Sequence, residues 1–342
     1  MTALPVAHRP VSGGRPTEGA GEVLAALHQA VATAQVVRTA ERVGVLSLLD
    51  EAGSASAEEV AHSCSLATEA TGRLLAALAD LGVLARVPSG RFSVAVDVRP
   101  AWRWLDSGWA GLEGCLRAGR PVVAADSPGG AGELYPELVP QLSMAFAGTA
   151  ASAARLLAPL EPRRVLDVGA GAAPWSLALA EAAPTARITC LDVPPVLART
   201  RAQVEAAGLS DRFDHWPGDA FQDELPPGEF DLVLLANLCH LFDAGRNAVL
   251  LRRLRSTLAP GGTLAIIDVL PPEDPQAQPR VSLYELGLLL RTERGQVHGL
   301  EEYAAWAGAA HFGPLHVERL DGPFDLGLLT TSALGRVPSA PR

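Results

Sequence analysis

A glycine pair, two strand-end aspartates and one histidine are the residues of this chain whose types and spacing could carry chemistry. The pair is Gly169-Ala-Gly171, which follows the strand-like run RRVLDV directly and enters a helical run at Pro174. Glycines there let the backbone turn tightly and let a ligand approach the peptide groups. Pro174 stands where a dinucleotide fingerprint has its third glycine, which argues against a nicotinamide or flavin dinucleotide. Asp192 ends the next strand-like run, 21 positions after Gly171, where a carboxylate can accept hydrogen bonds from both hydroxyls of a ribose. In Gly218-Asp219-Ala220 a second aspartate closes the third run and can accept from an adenine amino group. His240, in LCHLFD after the fourth run, supplies an imidazole suited to taking a proton from a hydroxyl near neutral pH.

These residues need a scaffold that brings strand ends together. From Arg163 onward, short β-rich runs (RRVLDV, RITCLDV, FDHWP, FDLVLLAN, TLAIIDV) alternate with helical stretches, which predicts a doubly wound parallel sheet. HFGPLHVERLDG and LGLLTTSAL predict two closing strands. The first half is different. In EVLAALHQAVATAQVV, residues Val23, Leu24, Leu27, Val31 and Ala34 recur at helical spacing, and a second helix follows. SASAEEVAHS opens with a helix start, Gly82 stops the next helix, and GVLARVPSGRFSVA predicts a hairpin around Pro-Ser-Gly. Helices followed by a hairpin form a winged-helix pattern. The expected division is a mobile tail over 1–20, a winged-helix domain over 21–100, a helical connector and substrate lid over 101–158, and the α/β domain over 159–342.

Composition narrows the function. The chain has 342 residues, enough for full-sized cores, and its 28 basic against 38 acidic residues give a net charge of −10. All 28 basic residues are arginine, so a Walker A lysine, a pyridoxal-phosphate Schiff base and a lysine nucleophile are excluded. The acidic balance, and a single arginine in TEATGRLLAALADL, argue against nucleic acid as a partner of the winged helix. Its apolar surface is expected to pack against a second copy of the chain. The four cysteines are widely spaced and form no CxxC pair, and no apolar run is long enough to cross a membrane, so a cytoplasmic protein is expected.

The strand, glycine pair, two aspartates, LCHLFD and LAPGG-TLAIIDV occur in an order that resembles the class I S-adenosylmethionine-dependent methyltransferases over residues 163–270. With the winged helix, the chain from about residue 22 resembles the small-molecule O-methyltransferases of plant phenolic and bacterial secondary metabolism. The resemblance implies a Rossmann-like sheet, homodimerisation through the N-terminal domain, and S-adenosylmethionine (SAM) as cofactor. It further implies that Gly169, Gly171, Asp192, Asp219, Ala220 and Ala236 contact SAM and that His240 is the general base toward a hydroxyl of an aromatic or polyketide-like acceptor.

Two family features are missing. Leu241 stands where an aspartate usually follows the histidine, and Val297 stands near the place of an acid that backs the imidazole. Glu285 and Glu293 are candidate substitutes, and Trp109, Met144, Phe146, Trp175, Phe242 and Tyr284 are expected around the acceptor. His298 opens an alternative: two histidines, His240 and His298, are the minimum of a transition-metal site for carbon methylation of an α-keto acid. A further alternative keeps the fold but transfers no methyl group, the pocket serving hydroxylation or rearrangement. His311 and His316 are expected at the surface.

Overall fold

The computed structural model describes residues 20–127, 129–226, 229–272, 279–322 and 325–334. The expected tail over 1–20 therefore lies almost wholly outside the described residues. The chain divides into two compact units at Arg103 and Trp104.

The first unit holds α1 (Ala20–Arg42), α2 (Val45–Ala52), α3 (Ala57–Ser63), α4 (Thr68–Asp80) and the antiparallel hairpin of β1 (Leu84–Val87) and β2 (Arg91–Val94). Leu46, Leu49, Leu75 and Leu78 form its core. The expected start of α3 is a capping box: the Glu59 N–H donates to Ser56 Oγ at 3.2 Å, and the Ser56 N–H donates to Glu59 Oε2 at 2.8 Å. The hairpin turns at Pro88–Gly90, with Ser89 and Gly90 both left-handed. On α4, Arg73 is neutralised by Glu69 at 2.6 Å. The apolar stripe of α1 faces outward: Val23, Leu24, Leu27 and Val31 are 58–67% exposed.

Helix α5 (Arg99–Ala110) runs through the division. The second unit continues with α6 (Leu112–Ala118), α7 (Gly130–Leu157), β3 (Arg164–Val168), α8 (Pro174–Ala182), β4 (Arg187–Asp192), α9 (Pro194–Ala206) and β5 (Phe213–Pro217). After these come β6 (Phe230–Ala236), α10 (Ala244–Arg255), β7 (Leu258–Val269), α11 (Pro279–Arg291), α12 (Leu300–Ala309), β8 (His316–Arg319) and β9 (Leu326–Ser332).

The seven-stranded sheet has the order β5-β4-β3-β6-β7-β9-β8. Strands β5, β4, β3, β6 and β7 run parallel to one another, and β9 is antiparallel to both β7 and β8. Alternate residues feed two cores. Val165, Ile188, Leu232 and Leu234 face one layer of helices, while Leu166, Leu191, Val233 and Leu235 face the other. A sheet buried on both faces explains why these strands are almost continuously apolar in sequence. The chain winds outward from β3 through β4 to β5, then returns to β6 on the other side of β3. That reversal leaves a crevice beyond the carboxyl ends of β3 and β6, the place where open α/β sheets bind ligands.

Candidate functional site

The crevice is walled by the turn after β3. Gly169, Gly171 and Ala173 all have positive φ, so the chain doubles back sharply before Pro174 starts α8. A Cβ at Gly169, whose φ is +69°, would lie 3.1 Å from the Leu238 side chain, so this position is fixed as glycine by both conformation and space. The Thr200 hydroxyl donates to the Gly171 carbonyl at 2.6 Å and pins the turn to α9.

Asp192, the last residue of β4, closes the turn from the other side. Its Oδ2 accepts from the Gly171 N–H at 2.9 Å and its Oδ1 from the Val193 N–H at 2.8 Å. Burial pushes its pKa up to about 6, against the pull of those two N–H groups. Each oxygen keeps a lone pair for a ligand hydroxyl. Asp167, inside β3, is more deeply placed. It accepts from Ser176 Oγ at 2.6 Å, and burial pushes its pKa up to about 7.

Both carboxyls hold protons more tightly in the folded chain than at the ordinary aspartate value of 3.8. Folding therefore takes up protons between that value and about 6 to 7, and stability falls as pH rises through this window. Asp167→Asn, which keeps the acceptor for Ser176 but cannot ionise, is expected to be less sensitive to pH than the wild type. Urea midpoints of the ligand-free protein at pH 5 and pH 8 measure this, and an equal drop in both proteins would contradict it.

Helix α7 supplies the opposite wall. Tyr135, Val139, Leu142, Ser143 and Phe146 line the cleft, and their spacing places them on one face of the helix. Gly169, Gly171, Trp175, Asp192, Ala236 and Phe242 complete a largely apolar space of about 710 Å³. The rings of Phe146 and Trp175 are tilted against each other at 5.7 Å. Asn237, left-handed at φ 53°, also lines the cleft, and its buried Oδ1 has no hydrogen-bond partner. It is an acceptor left without a partner at the cleft wall.

His240 sits in the 3-10 turn Cys239–Leu241 after β6 and is only 3% exposed. Strands β6 and β7 pair Ala236 with Ile267, and the Asn237 N–H still donates to the Ile267 carbonyl at 2.7 Å. This register delivers Asp268 to the turn. Its Oδ2 accepts from the His240 backbone N–H at 3.0 Å, and its Oδ1 lies 2.5 Å from Nδ1 of the imidazole. The carboxylate thus accepts from the Nδ1–H, which keeps the proton on Nδ1 and leaves Nε2 as the basic nitrogen. Leu241 and Val297, where the family's acids are missing, are apolar packing residues, and the acid beside the imidazole is Asp268 rather than either candidate, Glu285 or Glu293. On the other side, the Tyr284 hydroxyl lies 3.1 Å from Nε2, its ring nearly perpendicular to the imidazole.

The remaining expectations divide. Gly169, Gly171, Asp192, Ala236, Phe146, Trp175 and Phe242 meet at the cleft, and Tyr284 reaches His240. Asp219 and Ala220 follow β5 outside the walls of this cleft, where Asp219 accepts from the Phe221 N–H and the Gln222 amide, both at 2.8 Å. Trp109 and Met144 are corrected: they are 38% and 58% exposed, Met144 because it lies off the helix face that carries Ser143 and Phe146. Glu285 and Glu293 are exposed, as are His311 and His316.

The two-histidine metal alternative is also corrected. His298 is fully buried, its Nε2 at 2.9 Å from the Phe242 carbonyl and its Nδ1 at 3.2 Å from Glu302 Oε1. Both nitrogens of His240 have protein partners as well, so neither ring presents a free nitrogen to a shared metal. Among the described residues no group of three His, Cys, Asp or Glu side chains could hold a metal ion.

Sequence reasoning missed Asp268, Asn237 and Tyr135. Arg246 was missed too: it is stacked between the rings of Phe221 and Phe242 at 4.3 and 4.4 Å and donates to the Asp126 carbonyl at 2.6 Å. The Asp126 carboxylate in turn accepts from the N–H groups of Glu293 and Arg294 at 2.8 and 3.0 Å. Through these bonds the loop after α6 and the end of α11 hold Phe242 in the cleft wall. Among the described residues, no helix is long and apolar enough to cross a membrane.

Residues 147–313 match the family model of an O-methyltransferase domain. The chain is 32% identical to an L-tyrosine C(3)-methyltransferase of Streptomyces lavendulae over 47% of its own length and 44% of the relative's, so the match spans less than half of that protein. A mitomycin biosynthesis 6-O-methyltransferase of the same species is 28% identical over 80% of this chain and 83% of its own. Among solved structures, human N-acetylserotonin methyltransferase in complex with SAM superposes with a TM-score of 0.72, covering 94% of this chain and 100% of the human one at 22% identity. That likeness shows a shared fold. Over residues 147–313, the chain is similar to the O-methyltransferase domain family.

Proposed function

We propose that this protein transfers the methyl group of SAM to a hydroxyl of a small aromatic or polyketide-like metabolite, with His240 as general base. The observation that carries this reading is the His240–Asp268 pair standing next to a cleft with a left-handed glycine turn and a strand-end carboxylate. The cleft fits the cofactor: the Gly169–Gly171 turn leaves peptide groups open to close approach, Asp192 keeps lone pairs for ribose hydroxyls, and Asn237 offers an unpaired acceptor. Ala236 belongs to the same wall, while Asp219 and Ala220, beyond β5, are assigned the adenine end. SAM supplies a methyl carbon on a positively charged sulfur, so the protein's tasks are to place the acceptor oxygen and remove its proton. His240 can take that proton because Asp268 occupies Nδ1 and stabilises the imidazolium that results.

The aromatic wall of Phe146, Trp175 and Phe242 suits a planar, apolar acceptor. The tyrosine C(3)-methyltransferase among the relatives supports a second outcome at the same site. A deprotonated phenol carries negative charge on its ortho carbon as well as on oxygen, so the same base serves either atom. Incubation with methyl-labelled SAM and a panel of phenols, with the product located by NMR, tests the proposal. Labelled methyl on oxygen or ring carbon supports it, and no transfer to any phenol while SAM binds would overturn it.

A homodimer through the first unit belongs to the same reading. It is supported by the stripe of Val23, Leu24, Leu27 and Val31 left exposed along α1. Leu24→Glu with Leu27→Glu is expected to convert a dimer to a monomer in light scattering, and a wild-type monomer at micromolar concentration would contradict this. A cytoplasmic location, with neither nucleic acid nor membrane as partner, completes the proposal.

A further inference from the structure

We infer that Tyr284 is a catalytic residue that hands the acceptor's proton to His240, so that Tyr284, His240 and Asp268 form one hydrogen-bonded relay. The inference rests on the methyl-transfer reading above.

Three observations carry it. First, the base has one open position and Tyr284 fills it. Asp268 holds Nδ1 at 2.5 Å, so the neutral imidazole has its lone pair at Nε2, and the Tyr284 hydroxyl stands 3.1 Å from it. The hydroxyl must donate there. Second, His240 is not a wall of the cleft, although its neighbours Leu238, Leu241 and Phe242 are. At 3% exposure its imidazole is sealed off from that space. Third, Tyr284 joins the base to the packing behind the cleft walls. Its half-buried ring packs both against the cluster that contains Phe146 and Trp175 and against the one that contains Leu241 and Phe242. The phenol is thus the group that contacts both the base and the clusters supplying the cleft walls, Phe146 and Trp175 in one and Leu241 and Phe242 in the other.

The phenol is also held in place on two sides. Its ring meets the imidazole edge-on, with centroids 5.3 Å apart at 84°, and the Arg291 guanidinium lies 5.2 Å from the ring centroid. Burial raises the phenol's pKa above its ordinary value, and the positive charge of Arg291 opposes part of that rise. In the step, the acceptor oxygen forms a bond to the methyl carbon, and the carbon–sulfur bond breaks with its electron pair left on sulfur. The acceptor's proton moves to Tyr284 Oη as the tyrosine's own proton moves to His240 Nε2. Tyr284 ends neutral, and the proton on the imidazolium leaves to water after turnover.

Tyr284→Phe keeps the ring and removes the relay. It is expected to lower kcat about 100-fold with acceptor KM and SAM affinity unchanged. The proton inventory in mixed H₂O and D₂O is expected to change from the curvature of two moving protons to a straight line. Undiminished kcat in Tyr284→Phe would overturn the relay, since the acceptor would then reach Nε2 directly. His240→Ala in the same assay separates the two ideas. Activity lost in His240→Ala but kept in Tyr284→Phe defeats the relay alone, whereas activity kept in both defeats the general base as well. A readout without any acceptor is the ¹⁵N spectrum of the His240 ring in the resting protein. The Nε2 resonance is expected to be that of a hydrogen-bonded acceptor and to move toward that of a free one in Tyr284→Phe, and an unmoved resonance would overturn the inference.

Discussion

His240→Ala is expected to lower kcat for methyl transfer by about 10² to 10⁴-fold, the span of general-base contributions, without weakening SAM. The imidazole is buried beside Asp268, in the same turn as Leu241, which lines the cleft. Asp268→Asn is the sharper form of the same test. An asparagine there can still accept from the His240 backbone N–H but can present an amide N–H to Nδ1, which moves the imidazole proton to Nε2 and removes the base. A loss comparable to that of His240→Ala is expected. Because Asp268 is fully buried, the melting temperature must be measured alongside. A stable Asp268→Asn protein with wild-type kcat would show that the carboxylate only shapes the turn.

The second large effect concerns the cofactor. Asp192→Ala is expected to weaken SAM by about 100-fold, or ~2.7 kcal/mol, consistent with the loss of charge-assisted hydrogen bonds to a ribose. Part of that loss comes through the turn, since Asp192 also holds the Gly171 and Val193 N–H groups. Asp192→Asn separates the contributions by keeping an acceptor and removing the charge. With the carboxyl pKa raised to about 6, wild-type affinity is expected to fall as pH drops through that value, and Asp192→Asn is expected to lose this dependence. Calorimetric titration of SAM between pH 5 and pH 8 measures both. A wild-type affinity flat across that range would place the cofactor's ribose elsewhere.

Much of this architecture was legible because local rules decide it. The glycine turn follows from a strand running into residues that can take positive φ, and the capping box and hairpin turn follow from Ser56, Glu59, Ser89 and Gly90. The alternation of apolar runs announced a sheet covered on both faces. The strand ends then gathered Gly169, Asp192 and Ala236 around one cleft. What stayed hidden depends on register across the sheet. Asp268 is 28 positions from His240 and looks in sequence like the polar end of a strand, yet the pairing of β6 with β7 sets it under the imidazole. Residue type misled in the same way at Met144 and Trp109, whose side chains suit a pocket but whose helix phase turns them outward. His298 drew a metal reading because spacing cannot show which nitrogens are already taken, and here the Phe242 carbonyl and Glu302 take them.

The central claim is that His240 removes the acceptor's proton during methyl transfer, and single-turnover conversion of SAM to S-adenosylhomocysteine tests it most directly. The assay pairs wild type with His240→Ala on a panel of phenols and α-keto acids, each with and without a chelator. Product from a phenol, indifferent to the chelator and lost in His240→Ala, is the predicted result. Product from keto acids alone, product abolished by the chelator, or turnover undiminished in His240→Ala would contradict it.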